Sequence, residues 1–266
     1  MSEQERLFKR LNERFVKGFV TYRLLEDDDH VLVGLSGGKD SLLLTELLAK
    51  RARIEHPRFR VEAIHVRMEN VQYETSTDYL QQFCDSLNVP LHIVTTSFDS
   101  SQNGQSSMVN GQSSMVNGQS SMVNGQSKPK PPCFLCSWYR RKQLFNLAQE
   151  LGCNKIALGH HRDDIIRTAL MNLTFQGRFD AMPARLKMRK MPLTIIRPLC
   201  LIDEEDIRRY AELSQYEKLK KLCPHEHETN RTAIEEVYQS MERINPEARF
   251  SLWRAIESAG KLTEDY

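Results

Sequence analysis

The stretch Val31-Leu32-Val33-Gly34-Leu35-Ser36-Gly37-Gly38-Lys39-Asp40-Ser41 constrains this chain more than any other. An apolar run of strand length ends in two adjacent glycines and is followed at once by the helix-like run Leu42-Leu43-Leu44, with Leu47 and Leu48 beyond it. Gly37 and Gly38 lack Cβ atoms, so the backbone there can turn sharply and press against a ligand. The turn N–H groups and the unpaired N–H groups of the first helical turn then point outward. With the helix dipole and the Lys39 ammonium they form a cradle for phosphate.

The spacing is not that of G-x-x-x-x-G-K-[ST], which needs glycine where this chain has Val33. Ser36-Gly37-Gly38-Lys39-Asp40-Ser41 instead resembles the pyrophosphate loop (PP-loop) of the N-type ATP pyrophosphatases. That resemblance implies ATP cleaved between its α and β phosphates, AMP left on the substrate, and an adenine nucleotide alpha-hydrolase-like fold.

Around the loop the pattern is strand, helix, strand, helix, strand, which reads as a parallel sheet with right-handed crossovers. Glu3 to Leu25 reads as a helix whose stripe Leu7, Leu11, Phe15 and Phe19 is core or dimer packing. Further strands are expected at Val61–Val66, Leu91–Thr95, Lys155–Gly159 and Leu193–Arg197. The expected fold is therefore α/β, a five-stranded parallel sheet with helices on both faces. Its parts are an N-terminal helix (1–29), a PP-loop domain (30–215) with an insert at 100–130, and a C-terminal helical extension (216–266). Ligands of such sheets lie at the carboxyl ends of the strands, where Ser36 stands and where Val66 to Asn70 can line an adenine pocket. Asn103 to Gln126 repeats Asn-Gly-Gln-Ser-Ser-Met-Val, a composition that buries no core and reads as a disordered loop. Gln176 to Pro192 reads as a basic loop, and Glu26 to Asp29 as an acidic turn.

Charge points to a partner. The formal net charge is only +2, yet Lys128 to Lys221 carries 19 Lys/Arg against 10 Asp/Glu. A basic region beside an acidic remainder suits an anion larger than ATP, with RNA first among candidates. No run approaches a membrane span and Met1 to Arg6 lacks a signal-peptide profile, so a cytoplasmic enzyme is expected. Six cysteines in such a chain argue for reduced thiols or a metal site.

Two further motifs carry chemistry. Gly159-His160-His161-Arg162-Asp163-Asp164 follows a strand at the same edge as the phosphate loop, and its carboxylates can hold Mg²⁺ against phosphate. Cys133 and Cys136 form a C-x-x-C pair, and Cys223 is followed by a proline. Three thiolates suit a 4Fe-4S cluster with one open iron, while His225 or His227 could instead complete a Cys₃His zinc site. Cys84, Cys153 and Cys200 read as packing.

Taken together, these motifs, with Arg140 and Arg141 after Cys136, Ala181-Met182-Pro183, and Ile196-Arg197-Pro198-Leu199, resemble the tRNA 2-thiocytidine synthetases, the TtcA type of tRNA thiolase. The resemblance implies adenylation of C2 of cytidine 32 in the tRNA anticodon loop, then replacement of AMP by sulfur through a 4Fe-4S cluster held by Cys133, Cys136 and Cys223. It implies ATP binding by Ser36 to Ser41, Gly159 and His160. Catalytic roles fall to Lys39, Asp40, Arg140, Arg141, Asp163 and Asp164. The expected partners are tRNA, a sulfur donor such as a cysteine desulfurase, and a second copy of the chain in a homodimer. Where the family carries glutamate in D-D-x-x-E-T, this chain has Arg167 before Thr168. The competing readings are a ligase like tRNA lysidine synthetase, and a zinc-containing RNA-binding module with a decayed ATP site.

Overall fold

The computed structural model describes residues 1–69, 71–73, 76–97, 132–219, 221–222 and 230–265. The heptapeptide repeat, Asn70, Cys223, His225 and His227 lie outside the described residues.

In chain order the elements are α1 (Glu3–Thr21), β1 (Asp29–Gly34), α2 (Lys39–Arg51), β2 (Phe59–Met68), β3 (Gln72–Tyr73), α3 (Asp78–Leu87) and β4 (Leu91–Thr96). After the insert come α4 (Pro132–Glu150), β5 (Lys155–Ala157), α5 (Arg162–Gln176), β6 (Arg185–Lys187), β7 (Thr194–Ile196) and α6 (Glu204–Leu213). The chain closes with β8 (Lys221–Leu222), α7 (Asn230–Ile244), α8 (Ala248–Ser258) and β9 (Thr263–Glu264).

The main sheet runs β4-β2-β1-β5-β7-β6-β9, and its first five strands are parallel. This is the expected five-stranded sheet, extended at one edge by two short strands. β6 pairs antiparallel with β7, and β9 pairs parallel with β6. The expected basic loop thus contains a strand. Three residues are too few to display a period of two, and β6 forms only because β7 offers it an edge.

The central strand shows why the sheet is covered twice. Val31 and Val33 of β1 join the cluster built with α1, α2 and α6, whereas Leu32 joins Ile64, Ile156 and Ala148 of α4. Successive side chains of a strand point to opposite faces, so a strand apolar at every position must be buried on both. Leu7, Leu11, Phe15 and Phe19 of α1 are buried within the chain's own core. Arg10 pairs with Asp206, and Arg14 with Asp203 and Asp206, so the basic face of α1 is partly neutralised by α6.

Asp29 is more than part of a turn. It opens β1, is almost fully buried, and accepts from Lys155 Nζ at 2.9 Å and Asn154 Nδ2 at 2.8 Å. This pair joins β1 to β5 at the end opposite the glycine turn.

Candidate active site

Strand order reverses between β1 and β5, because the chain steps outward from β1 to β2 and β4 on one side and to β5 and β7 on the other. The loops leaving adjacent strands at such a point diverge and open a crevice at their carboxyl ends. The two loops concerned are Leu35 to Gly38 after β1 and Leu158 to His161 after β5. They approach so closely that a Cβ on Gly159 would stand 3.1 Å from Asp40 C and Ser41 N.

Ser41 ties the phosphate loop together. The Ser36 N–H donates to Ser41 Oγ at 3.1 Å, the two hydroxyls stand 3.0 Å apart, and Ser41 Oγ donates to Gly38 O at 2.9 Å. Gly37 takes φ +82°, a region closed to most side chains. Gly38 caps α2, so the first-turn N–H groups of Lys39, Asp40 and Ser41 face the crevice without intrahelical acceptors. Lys39 Nζ lies 3.0 Å from Asp40 Oδ1 and 3.1 Å from Glu204 Oε1. Burial works against the Lys39 charge, but these carboxylates outweigh it and raise its pKa.

The two aspartates opening α5 have different surroundings. Asp163 is buried and accepts from the Glu204 N–H at 2.8 Å and Tyr238 Oη at 3.0 Å, with Arg249 Nε at 3.4 Å. Asp164 is partly open and lies 3.4 Å from His161 Nε2. That same ring nitrogen lies 3.9 Å from Asp40 Oδ1 and 3.9 Å from Glu204 Oε2. Lys39, Asp40, Asp164, Glu204 and the buried His161 therefore meet at one point.

Sequence reasoning places His161 in the motif at this edge but gives its side chain no role, and it leaves Glu204 outside the site. Glu204 lies in the run Asp203-Glu204-Glu205-Asp206, whose acids read as a helix start, and the usable signal is that this run follows the fifth parallel strand. Burial also opposes ionisation of Glu204, but Lys39, His161 and Arg167 hold its carboxyl down at about 2.

His160 forms one wall. Its Nδ1 lies 3.3 Å from Nε of Arg197, a fully buried residue whose guanidinium also reaches Pro183 O and whose pKa burial depresses to about 10. The segments Ala181 to Pro183 and Ile196 to Leu199 are thereby braced against the loop after β5.

Cys133 and Cys136 stand one turn apart at the start of α4, Cys133 exposed and Cys136 half-buried. Further along α4, Arg140 Nη2 donates to Tyr73 Oη at 3.3 Å, and Tyr73 Oη accepts from the Met68 N–H at the carboxyl end of β2. Burial lowers the pKa of Arg141, whose Nε lies 3.3 Å from Ser137 O. The β3–β8 pair sets Leu222 beside Gln72 and Lys221 beside Tyr73, the partner of Arg140. A cavity of about 320 Å³ lined by Arg67, Met68, Glu69, Val71 and Thr95 opens at the carboxyl ends of β2 and β4.

Comparison with known proteins gives the same direction. A model of the PP-loop domain matches residues 4–112. The tRNA-cytidine(32) 2-sulfurtransferase of Bordetella avium is 34% identical over 255 residues, covering 96% of this chain and 74% of that protein. The protein of the same name from Pseudomonas fluorescens is 30% identical, with 96% and 85% covered. Among solved structures, the U34-tRNA thiolase NcsA from Methanococcus maripaludis, determined with its 4Fe-4S cluster, superposes with TM-score 0.70 at 24% identity. It covers 96% of this chain and 79% of its own, and shows the shared fold.

Proposed function

The chain belongs to the tRNA-cytidine(32) 2-sulfurtransferase family, and on that premise we propose that it activates C2 of cytidine 32 with ATP and exchanges AMP for sulfur. The observation that carries this reading is the shared edge. The phosphate loop, the aspartate loop after β5 and the cysteine end of α4 all gather at the carboxyl side of the parallel strands.

The cytidine C2 oxygen attacks the α-phosphorus, and the bond to the β-phosphate breaks to release pyrophosphate. The N–H groups of Gly38 to Ser41 and the Lys39 ammonium take up the negative charge that develops there. A hydrosulfide equivalent then adds at C2, the C2–O bond breaks, and AMP leaves with the oxygen. No net oxidation occurs.

The charges of the site fit Mg²⁺. Lys39 and Arg167 pair with Asp40, Glu204 and Glu235, and Asp164 stands beside them against His161, so carboxylates outnumber these two cations where a polyphosphate would enter. Among the described residues no three side chains form a ready metal cage, and Mg²⁺ does not need one. It commonly binds through one or two carboxylates plus phosphate oxygens, here Asp40 and Asp164. When bound it would neutralise the leaving pyrophosphate. Asp163 acts through position, fixing Glu204 and α7.

Cys133 and Cys136, one turn apart at an accessible helix end, suit two ligands of a 4Fe-4S cluster, with Cys223 the third. When bound, such a cluster would supply the point at which sulfur from a donor such as a cysteine desulfurase is held for transfer. Arg140 and Arg141 orient the base or the AMP phosphate, and the tRNA lies over the basic region. The enzyme works as a homodimer in the cytoplasm. Among the described residues no helix is long and apolar enough to cross a membrane.

The test is anaerobic turnover of unmodified tRNA with ATP, Mg²⁺ and sulfide, read as 2-thiocytidine in digested tRNA. Cys223→Ala is expected to abolish thiolation while leaving ATP binding intact. A Cys223→Ala chain that still completes turnover would favour the ligase reading.

A further inference from the structure

α5 carries a cation, Arg167, one turn into the helix that the aspartate pair opens, where it faces the site from behind. Its Nη1 lies 2.9 Å from Glu204 Oε2, while the other carboxylate oxygen, Glu204 Oε1, lies 3.1 Å from Lys39 Nζ. One carboxylate is shared between two cations, one oxygen each. Lys39 has Asp40 as a second partner, and Arg167 has Glu235 of α7 and the ring of Tyr238, 5.7 Å from its guanidinium carbon. The backbone N–H of Glu204 is fixed to Asp163 Oδ2, which anchors the start of α6 beside the loop.

This arrangement has a consequence for any polyphosphate entering the loop. On the ATP-binding reading Lys39 turns to phosphate, and of its two contacts the one with Glu204, on another helix, is easier to open than the one with its chain neighbour Asp40. A carboxylate left unpaired beside a polyphosphate repels it. A carboxylate held by Arg167 does so far less, since its charge is already matched in a partly buried setting.

We propose that Arg167 is a positioning residue that sets nucleotide affinity by holding Glu204 when Lys39 turns to phosphate. The inference rests on the ATP-binding reading above. Without Arg167, Glu204 has Lys39 as its main cationic partner and competes with the nucleotide for it. The Arg167 defect should therefore be repaired by removing the Glu204 charge, a result that loss of packing alone does not give.

The experiment is equilibrium binding of the Mg²⁺ complex of α,β-methylene-ATP, measured by calorimetry on the full chain beside thermal melting. Arg167→Gln is expected to weaken binding about tenfold, and Arg167→Gln with Glu204→Gln to return it to within about threefold of the unaltered chain. Should Arg167→Gln fail to fold, Glu204→Gln alone decides. Unchanged or tighter binding supports the proposal, and a loss of about tenfold overturns it. Full affinity in Arg167→Gln, or a double variant as weak as the single one, also overturns it. If the unaltered chain binds no nucleotide at all, the ATP-binding reading fails first and the proposal with it.

Discussion

The backbone N–H of Leu219 donates to the carbonyl of Gly37 at 3.1 Å, and Leu219 Cβ stands 2.6 Å from where a Cβ on Gly37 would be. The phosphate loop is thus fastened to the segment after α6 that ends at Leu219. Gly37 also has φ +82°, so a side chain there suffers twice. Gly37→Ala should cost about 1 to 3 kcal/mol from the backbone conformation alone, before the clash with buried Leu219 is counted. Nucleotide binding should fall more steeply than the melting temperature suggests, because the loop must distort to admit the methyl group. Calorimetry with an ATP analogue, paired with a thermal melt, checks both.

Asp163 and Asp164 are neighbours with opposite expected phenotypes. Asp163 is buried against Tyr238, Arg249 and the Glu204 N–H, so Asp163→Asn should lower stability by about 2 to 3 kcal/mol and loosen α7 and α8. Asp164 is partly exposed and faces His161, so Asp164→Asn should leave the melt nearly unchanged while raising the Mg²⁺ concentration needed for AMP formation. Urea unfolding and a Mg²⁺ titration of both variants would separate them. Equal loss of stability in the two would refute the division.

The sequence carried the parallel core because each of its determinants is local. The apolar run of β1, the glycine pair and the leucine helix are adjacent in the chain, and β1 is buried on both faces as a continuous apolar run requires. What escaped depends on distant partners. β6 and β9 are short strands that exist by pairing with a neighbouring edge, and β8 is two residues long. Glu204 joins the site only when α6 folds onto α2, and the sequence shows it merely at a helix start; His161 is legible in the motif after β5, but its approach to Asp40 and Glu204 is not. Asp29, read as part of a turn, became a buried ion-pair partner because Lys155 lies on the neighbouring strand.

Acid should weaken the fold well before it discharges Glu204. The carboxyl of Glu204 is held at about 2 in the folded chain, against an ordinary value of 4.5. A depressed folded pKa means that its contribution is complete above about pH 4.5 and is lost as pH falls toward 2. Glu62 has the same sign: burial opposes its charge, but hydrogen bonds from His92 and His30 outweigh burial and lower its pKa. Urea midpoints measured between pH 6 and pH 3 should therefore fall, and Glu204→Gln should flatten part of that slope. A slope unchanged by the substitution would show that the Lys39 and Arg167 contacts contribute nothing to folding.

The cysteines should divide into two reactivity classes. Cys84, Cys153 and Cys200 are buried, and burial pushes their thiols up to about 12, about 11 and about 12. The thiolate is the nucleophile toward an alkylating agent, so these three should resist modification near neutral pH unless the chain unfolds. Cys133 is exposed and Cys136 half-buried at the start of α4, and both should be modified in the native metal-free chain. Loading with iron and sulfide should protect them, because ligand thiolates are no longer available. Mass spectrometry of iodoacetamide-treated protein, with and without reconstitution, reads each cysteine separately. Protection of Cys133 and Cys136 with four irons bound supports the cluster, whereas protection by one zinc ion per chain would favour the Cys₃His alternative. If neither metal protects them, the C-x-x-C pair of α4 binds no metal, and the sulfur must reach cytidine by another route.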